Sequence, residues 1–169
     1  MDERKEGFDI TAAPVFTALK IIALVLMVIF IISEYSFDRE SKAAFEDVSK
    51  AVSERFSQKN VITGDNQMIK RLYGIDPNEY SDVLLYYPST NMGSEELLLV
   101  KLNDLSQQET VKKAMEERVD SQKNVFEGYA PDQVAMLEKA KVDVEGNYIL
   151  MVSAENPDEI VSDFLKAIK

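Results

Sequence analysis

The apolar positions of this chain fall into two regimes. From residue 21 to 32 every side chain is apolar (IIALVLMVIFII), and the stretch reaches back to Ala12 with Lys20 as its only charge. No polar face interrupts residues 21–32, which argues against a helix packed in a globular core. Twelve residues would cover about 18 Å as a helix, short of a hydrocarbon core of about 30 Å. The 22 residues of 12–33 reach about 33 Å, enough to cross if Lys20 snorkels toward the nearer headgroups. A cleaved leader needs small residues at alternate positions after its apolar core, and here Ser33-Glu34-Tyr35-Ser36-Phe37 follows. The pattern therefore predicts a retained transmembrane signal-anchor over 14–36, a cytoplasmic tail over 1–13 and an extracytoplasmic domain over 37–169. Arg4, Lys5 and Lys20 before the core balance Arg39, Lys42 and Lys50 after it. The orientation thus rests on the shortness of the tail and the size of the domain.

Beyond the anchor the apolar residues become periodic. Phe45, Val48, Val52 and Phe56 mark an amphipathic helix over 38–57, with no breaker between it and the anchor. Asp65 is placed to cap a short helix through Met68, Ile69 and Leu72 that stops at Gly74, and Asp76-Pro77 starts a further turn. Two apolar runs, 83–87 and 96–102, flank the turn-forming residues 88–94 and predict a hairpin. Ser106-Gln107-Gln108-Glu109 has the form of a capping box opening a helix with Val111, Met115, Val119 and Phe126 along one face. Gly128 ends that helix, and Pro131 begins a shorter one through Val134 and Leu137. Strands over 141–144 and 147–152 turn at Glu145-Gly146. Asn156-Pro157-Asp158-Glu159 opens a last helix, with an acid set to pair back to the cap and Ile160, Phe164 and Ile168 as its stripe. Hairpins without βαβ alternation predict an α+β domain. The expected architecture is a single N-terminal transmembrane helix followed by a two-layer α/β sandwich, its four-stranded, mainly antiparallel sheet covered on one face.

Composition removes whole classes of chemistry. The 169 residues hold 30 acids against 19 bases, a net charge of −11, and no His or Cys. Ser-His-Asp and Cys-His catalysis, zinc fingers, disulfides and redox dithiols are thereby excluded. A field of that sign repels nucleic acid. The six glycines are scattered, so no glycine-rich phosphate cradle exists. Carboxylates are the abundant acid/base groups: Glu95-Glu96 and Asp143/Glu145 could act as paired acids or hold Ca²⁺. Residues 143–147 lack the alternating ligands of a calcium loop, so a solvated turn is the simpler reading. Ser89, Thr90, Asn91 and Ser94 form a polar loop without a nucleophile elbow. No catalytic, cofactor-binding or metal-ligating residue is assigned, and no cofactor is expected.

Tyrosines remain: Tyr73, Tyr80, Tyr86, Tyr87, Tyr129 and Tyr148 all lie beyond the anchor. Neighbours in a strand face opposite sides, so Tyr86 and Tyr87 cannot both point to one face. An outward tyrosine beside Asn91 could stack on a sugar or anchor a protein; the plainer alternative is a ring edging the core with a wet hydroxyl. The candidate partner- or ligand-binding residues are Tyr73, Tyr86, Tyr87, Asn91, Glu95 and Tyr129.

The ordered segments Arg71-Leu72-Tyr73-Gly74-Ile75-Asp76, Glu95-Glu96-Leu97-Leu98-Leu99-Val100-Lys101, Phe126-Glu127-Gly128-Tyr129-Ala130-Pro131 and Gly146-Asn147-Tyr148-Ile149-Leu150 carry a resemblance. They make the chain, over about residues 40–168, similar to domain-of-unknown-function family 4358, small exported proteins of Gram-positive bacteria. Many such relatives are lipoproteins with a cysteine after the leader; this chain has none, so its attachment would be the uncleaved helix. The resemblance implies an accessory role beside surface-polysaccharide acylation machinery and assigns no catalytic residue. The expected function is a non-catalytic, membrane-anchored extracytoplasmic domain that binds or scaffolds an envelope protein or glycan. The alternatives are an enzyme using carboxylates and tyrosine on surface polymer, or a weak cation sensor.

Overall fold

The computed structural model describes residues 12–37, 40–56 and 60–169. The chain divides into two compact units, Met1–Asp38 and Arg39–Lys169. The first contains helix α1, Ala12–Phe37, 26 residues long. Its described side chains are Thr17 and residues 19–30, all exposed. Among the described residues no helix is long and apolar enough to cross a membrane. The continuous described run of side chains in α1 covers only about 18 Å of rise. The flanks of the expected 14–36 span, and the whole of the expected 1–13 tail, lie outside these described side chains.

The described part of the second unit begins with residues 40–44, which are not helical, and Ala44 is extended with φ −70° and ψ 139°. Helix α2 therefore runs over Phe45–Arg55 and does not include residues 40–44 of the expected 38–57; positions 38, 39 and 57 lie outside the described residues. It presents Val48 and Val52 to the interior. Strand β1, Val61–Thr63, follows. Helix α3, Asn66–Tyr73, is capped as expected: the Asp65 carboxylate accepts from the Met68 N–H, and Gly74 closes the last turn at φ 69°. A 3₁₀ turn over Pro77–Glu79 leads into β2, Asp82–Pro88, and β3, Glu96–Lys101.

Helix α4, Gln108–Phe126, is preceded by a 3₁₀ turn over Leu105–Gln107. The capping box sits two residues earlier than expected. Asp104 takes the cap position and Gln107 reaches back to it, because the chain makes a tight turn before the α-helix begins. Helix α5, Pro131–Glu138, strands β4, Lys141–Glu145, and β5, Tyr148–Ser153, and helix α6, Pro157–Ala167, complete the unit. Asn156 makes no side-chain cap bond; Pro157 and the first-turn acids Asp158 and Glu159 mark the start of α6.

The sheet has five strands, not four, in the order β1-β2-β3-β5-β4, with every pairing antiparallel. The added strand β1 pairs Ile62 with Tyr87 at one edge. At three residues it is too short to show a period of its own.

The sheet is also covered on both faces, which corrects the two-layer expectation to three layers. On one face Leu85, Leu98, Val100, Ile149 and Met151 meet α3, α4 and α5 through Ile69, Met115, Val119, Phe126 and Leu137. On the other, Leu97, Leu99, Leu150 and Val152 meet α2 and α6 through Val48, Val52, Ile160 and Phe164. Central strands buried on both sides need unbroken apolar runs, as Leu97-Leu98-Leu99-Val100 and Ile149-Leu150-Met151-Val152 are.

Candidate functional site

At the start of β3 the alternation of the strand turns Glu96 toward the α3/α4 face, in line with Leu98 and Val100. Its side chain is 2 % exposed. A carboxylate there needs partners, and four donors supply them. The Tyr73 hydroxyl at the end of α3 donates to Oε1. Arg118 grips both oxygens, Nε to Oε1 at 3.0 Å and Nη2 to Oε2 at 2.8 Å, and Gln122 Nε2 donates to Oε2 at 2.8 Å. Each oxygen accepts two hydrogen bonds, which uses the full acceptor capacity of a carboxylate.

The network shapes the titration of its members. Burial, and then the charge and hydrogen bond of Glu96, push the Tyr73 hydroxyl well above its ordinary value, so it stays a donor. For Arg118, burial works against the charge, but the bonds and the charge of Glu96 outweigh it and raise the guanidinium further. Ser153 lies opposite Glu96 in the β3–β5 register, and its buried Oγ has no partner among the described residues. The acceptor positions next to it are already taken.

Arg118 and Gln122 also form the inner wall of a cleft of about 260 Å³. Arg71 and Leu72 of α3 form a second wall, and Tyr87, Thr90 and Asn91 at the end of β2 and its turn form a third. The turn is fixed from below by Ser94, whose N–H and Oγ both donate to Gln133 Oε1, at 2.9 and 2.8 Å. A second hollow, about 430 Å³, lies across that turn and is lined by Ser94, Glu95, Gln133 and Met136.

The six expected binding residues do not form one site. Tyr73 is buried beneath the cleft and reaches it only through Glu96 and Arg118. Tyr87 and Asn91 line the cleft, and Glu95 lines the second hollow. Tyr86 points to the opposite face, half-buried and stacked on Phe56 with centroids 5.8 Å apart. Tyr129 is 55 % exposed and leans at 5.8 Å on Phe126, which lines the cleft, but does not itself line it. Tyr86 thus follows the plainer alternative of a ring edging the core.

Glu95 and Glu96 do not act as a pair, because adjacent residues are divided between two environments. Asp143 and Glu145 belong to edge strand β4. Among the described residues no cluster of three or more His, Cys, Asp or Glu could hold a metal ion. Arg71, Arg118 and Gln122 were not among the expected site residues. The available signal was the interior stripe of α4, where Gln122 falls between Val119 and Phe126 on the buried side.

The family profile for a domain of unknown function (DUF4358) matches residues 54–154. No curated protein and no solved structure matches the chain.

Proposed function

Given that this chain belongs to the DUF4358 family, we propose that residues 40–169 form a non-catalytic binding module, held at the outer face of the cell membrane by the apolar segment 14–36. The module acts there as an accessory subunit that recognises an envelope protein or glycan. The observation that carries the non-catalytic reading is the saturation of Glu96. All four of its acceptor positions are filled by Tyr73, Arg118 and Gln122. A general base must keep a lone pair for the proton it takes. The alternative, a carboxylate/tyrosine enzyme, is disfavoured at this cleft: among the described residues no carboxylate lines it, and the Glu96 carboxylate and Tyr73 hydroxyl beside it are committed to each other.

The membrane attachment is supported by the exposed side chains of residues 19–30, where Lys20 is the sole charge. Such a helix has no polar stripe by which to rest against water. The binding role is supported by the cleft at Tyr87 and Asn91, held on a fixed turn rather than a loose loop.

A photoreactive residue in place of Tyr87, activated in intact cells, tests the reading. A defined adduct with an envelope protein or glycan is expected, and recovery of uncrosslinked chain alone would count against it. Protease added to whole cells should degrade residues 40–169. Protection of that segment would place the module on the inner side and overturn the localisation.

A further inference from the structure

Resting on the binding-module reading, we propose that the cleft beside Glu96 is a site for a carboxylate-bearing group with a compact body, held by Arg71 and Arg118. The chain has 30 acidic residues, yet among the described residues none lines this cleft, while two arginines do. Both guanidiniums have donors in reserve. Arg118 gives Nε and Nη2 to Glu96, and its Nη1 has no partner among the described residues. Arg71 is exposed, and among the described residues its only side-chain bond goes to the thioether of Met68 at 3.0 Å.

The charge of the assembly selects the ligand. Glu96 offsets one arginine, so the set carries one net positive charge, which a monoanion neutralises and a dianion overshoots. A planar carboxylate also matches the guanidinium fork. Thr90, Asn91 and Ser121 offer hydroxyl and amide groups on the polar side, and Leu72, Tyr87 and Val125 an apolar side for a ring or short aliphatic body. A volume of about 260 Å³ lies just under the range of about 300–1,000 Å³ for drug-sized ligands. The cleft therefore takes the acidic end of a partner rather than a whole polymer. An acidic sugar ring and the carboxyl end of a peptide share this chemistry.

The test is a titration of the ¹⁵N-labelled full chain in detergent micelles, at fixed ionic strength, with glucuronate, N-acetyl-alanine and their neutral amides. At least one carboxylate is expected to shift the Thr90, Asn91 and Ser121 amides saturably, while its amide does not. R71Q, at an exposed position, should leave the rest of the spectrum in place and weaken that binding about tenfold or more, as loss of a charge-assisted contact does. Saturation by glucuronate assigns an acidic glycan, and by N-acetyl-alanine a peptide terminus. Equal shifts with acid and amide, an unchanged affinity in R71Q, or no saturable shift with either acid overturns the proposal. A Tyr87 crosslink to an envelope partner together with no carboxylate binding overturns the anion site while leaving the binding-module reading in place.

Discussion

Glu96 and Glu95 are adjacent in sequence and opposite in circumstance. One is enclosed by four donors, and the other lines a solvent-open hollow. Replacing one member of a buried charge pair leaves the other uncompensated. E96Q should therefore lose about 3 kcal/mol in urea unfolding, because Arg118 is left facing an amide. E95Q should stay within about 0.5 kcal/mol of the parent.

The same network sets a limit at alkaline pH. The Tyr73 hydroxyl is raised well above its unfolded value of 10.0 by burial and then by Glu96. The folded state therefore keeps a proton that the unfolded chain releases above that value. Stability is unaffected below about pH 10 and falls as pH rises beyond it. Tyr80, raised by burial and by Glu79 and Asp76, adds in the same direction. Melting temperatures followed from pH 8 to 11 should show a steeper fall for the parent than for Y73F.

Sequence adjacency alone suggested a carboxylate pair at these positions. Strand alternation separates the two residues, and only the inward Glu96 reaches Tyr73. That tyrosine was legible as a notable residue, but its partner Glu96 lies 23 positions away, and the α4 partners of Glu96 lie 22 and 26 positions beyond that, separations that no local pattern encodes.

Elements were legible where a side chain punctuates them: Asp65 and Gly74 around α3, Pro131 opening α5, and Pro157 opening α6 all act where expected. Two features were not. Strand β1 has three residues, fewer than a period needs to declare itself. The unbroken apolar runs of β3 and β5 fit hairpin strands, but their continuity also requires cover on both faces, which hairpin pattern alone does not express. The junction after β1 depends on one missing side chain. A Cβ on Gly64 would fall 2.4 Å from Leu85 Cδ2 and 2.8 Å from Leu85 Cγ. Leu85 is buried at 1 % exposure, so it has little room to withdraw. G64A should cost about 1–3 kcal/mol, as overpacking does, and chemical denaturation would show it. An unchanged midpoint would mean that the β1–α3 junction yields freely.

Across residues 40–169, the lead-in segment and the cleft occupy opposite ends of the sheet. Ala43 O accepts from Lys101 Nζ at 3.1 Å and from the Tyr148 hydroxyl at 2.8 Å, at the far end of β3 and the start of β5. Ser41 N–H donates to Asn147 Oδ1 at 2.9 Å. Glu96 begins β3, and Lys101 ends it about 17 Å away. Changes at the lead-in should therefore not reach the cleft, since sites more than about 7–10 Å apart without shared partners act independently. S41A removes a donor and an acceptor and should lower stability by about 1 kcal/mol in thermal unfolding. The effects of S41A and R71Q on carboxylate affinity should combine additively, and a non-additive double variant would show that the two ends communicate.

Ser41 Oγ donates to the carbonyl of Ile168 across 2.7 Å, joining residues 127 positions apart. The place where the backbone comes into this fold is thus also the place where it goes out. A polypeptide with that plan resembles a bead on a loop of thread. Sewn into a surface turn of an unrelated host, or cut and resealed at an exposed turn between its strands, it should keep every strand of its sheet paired.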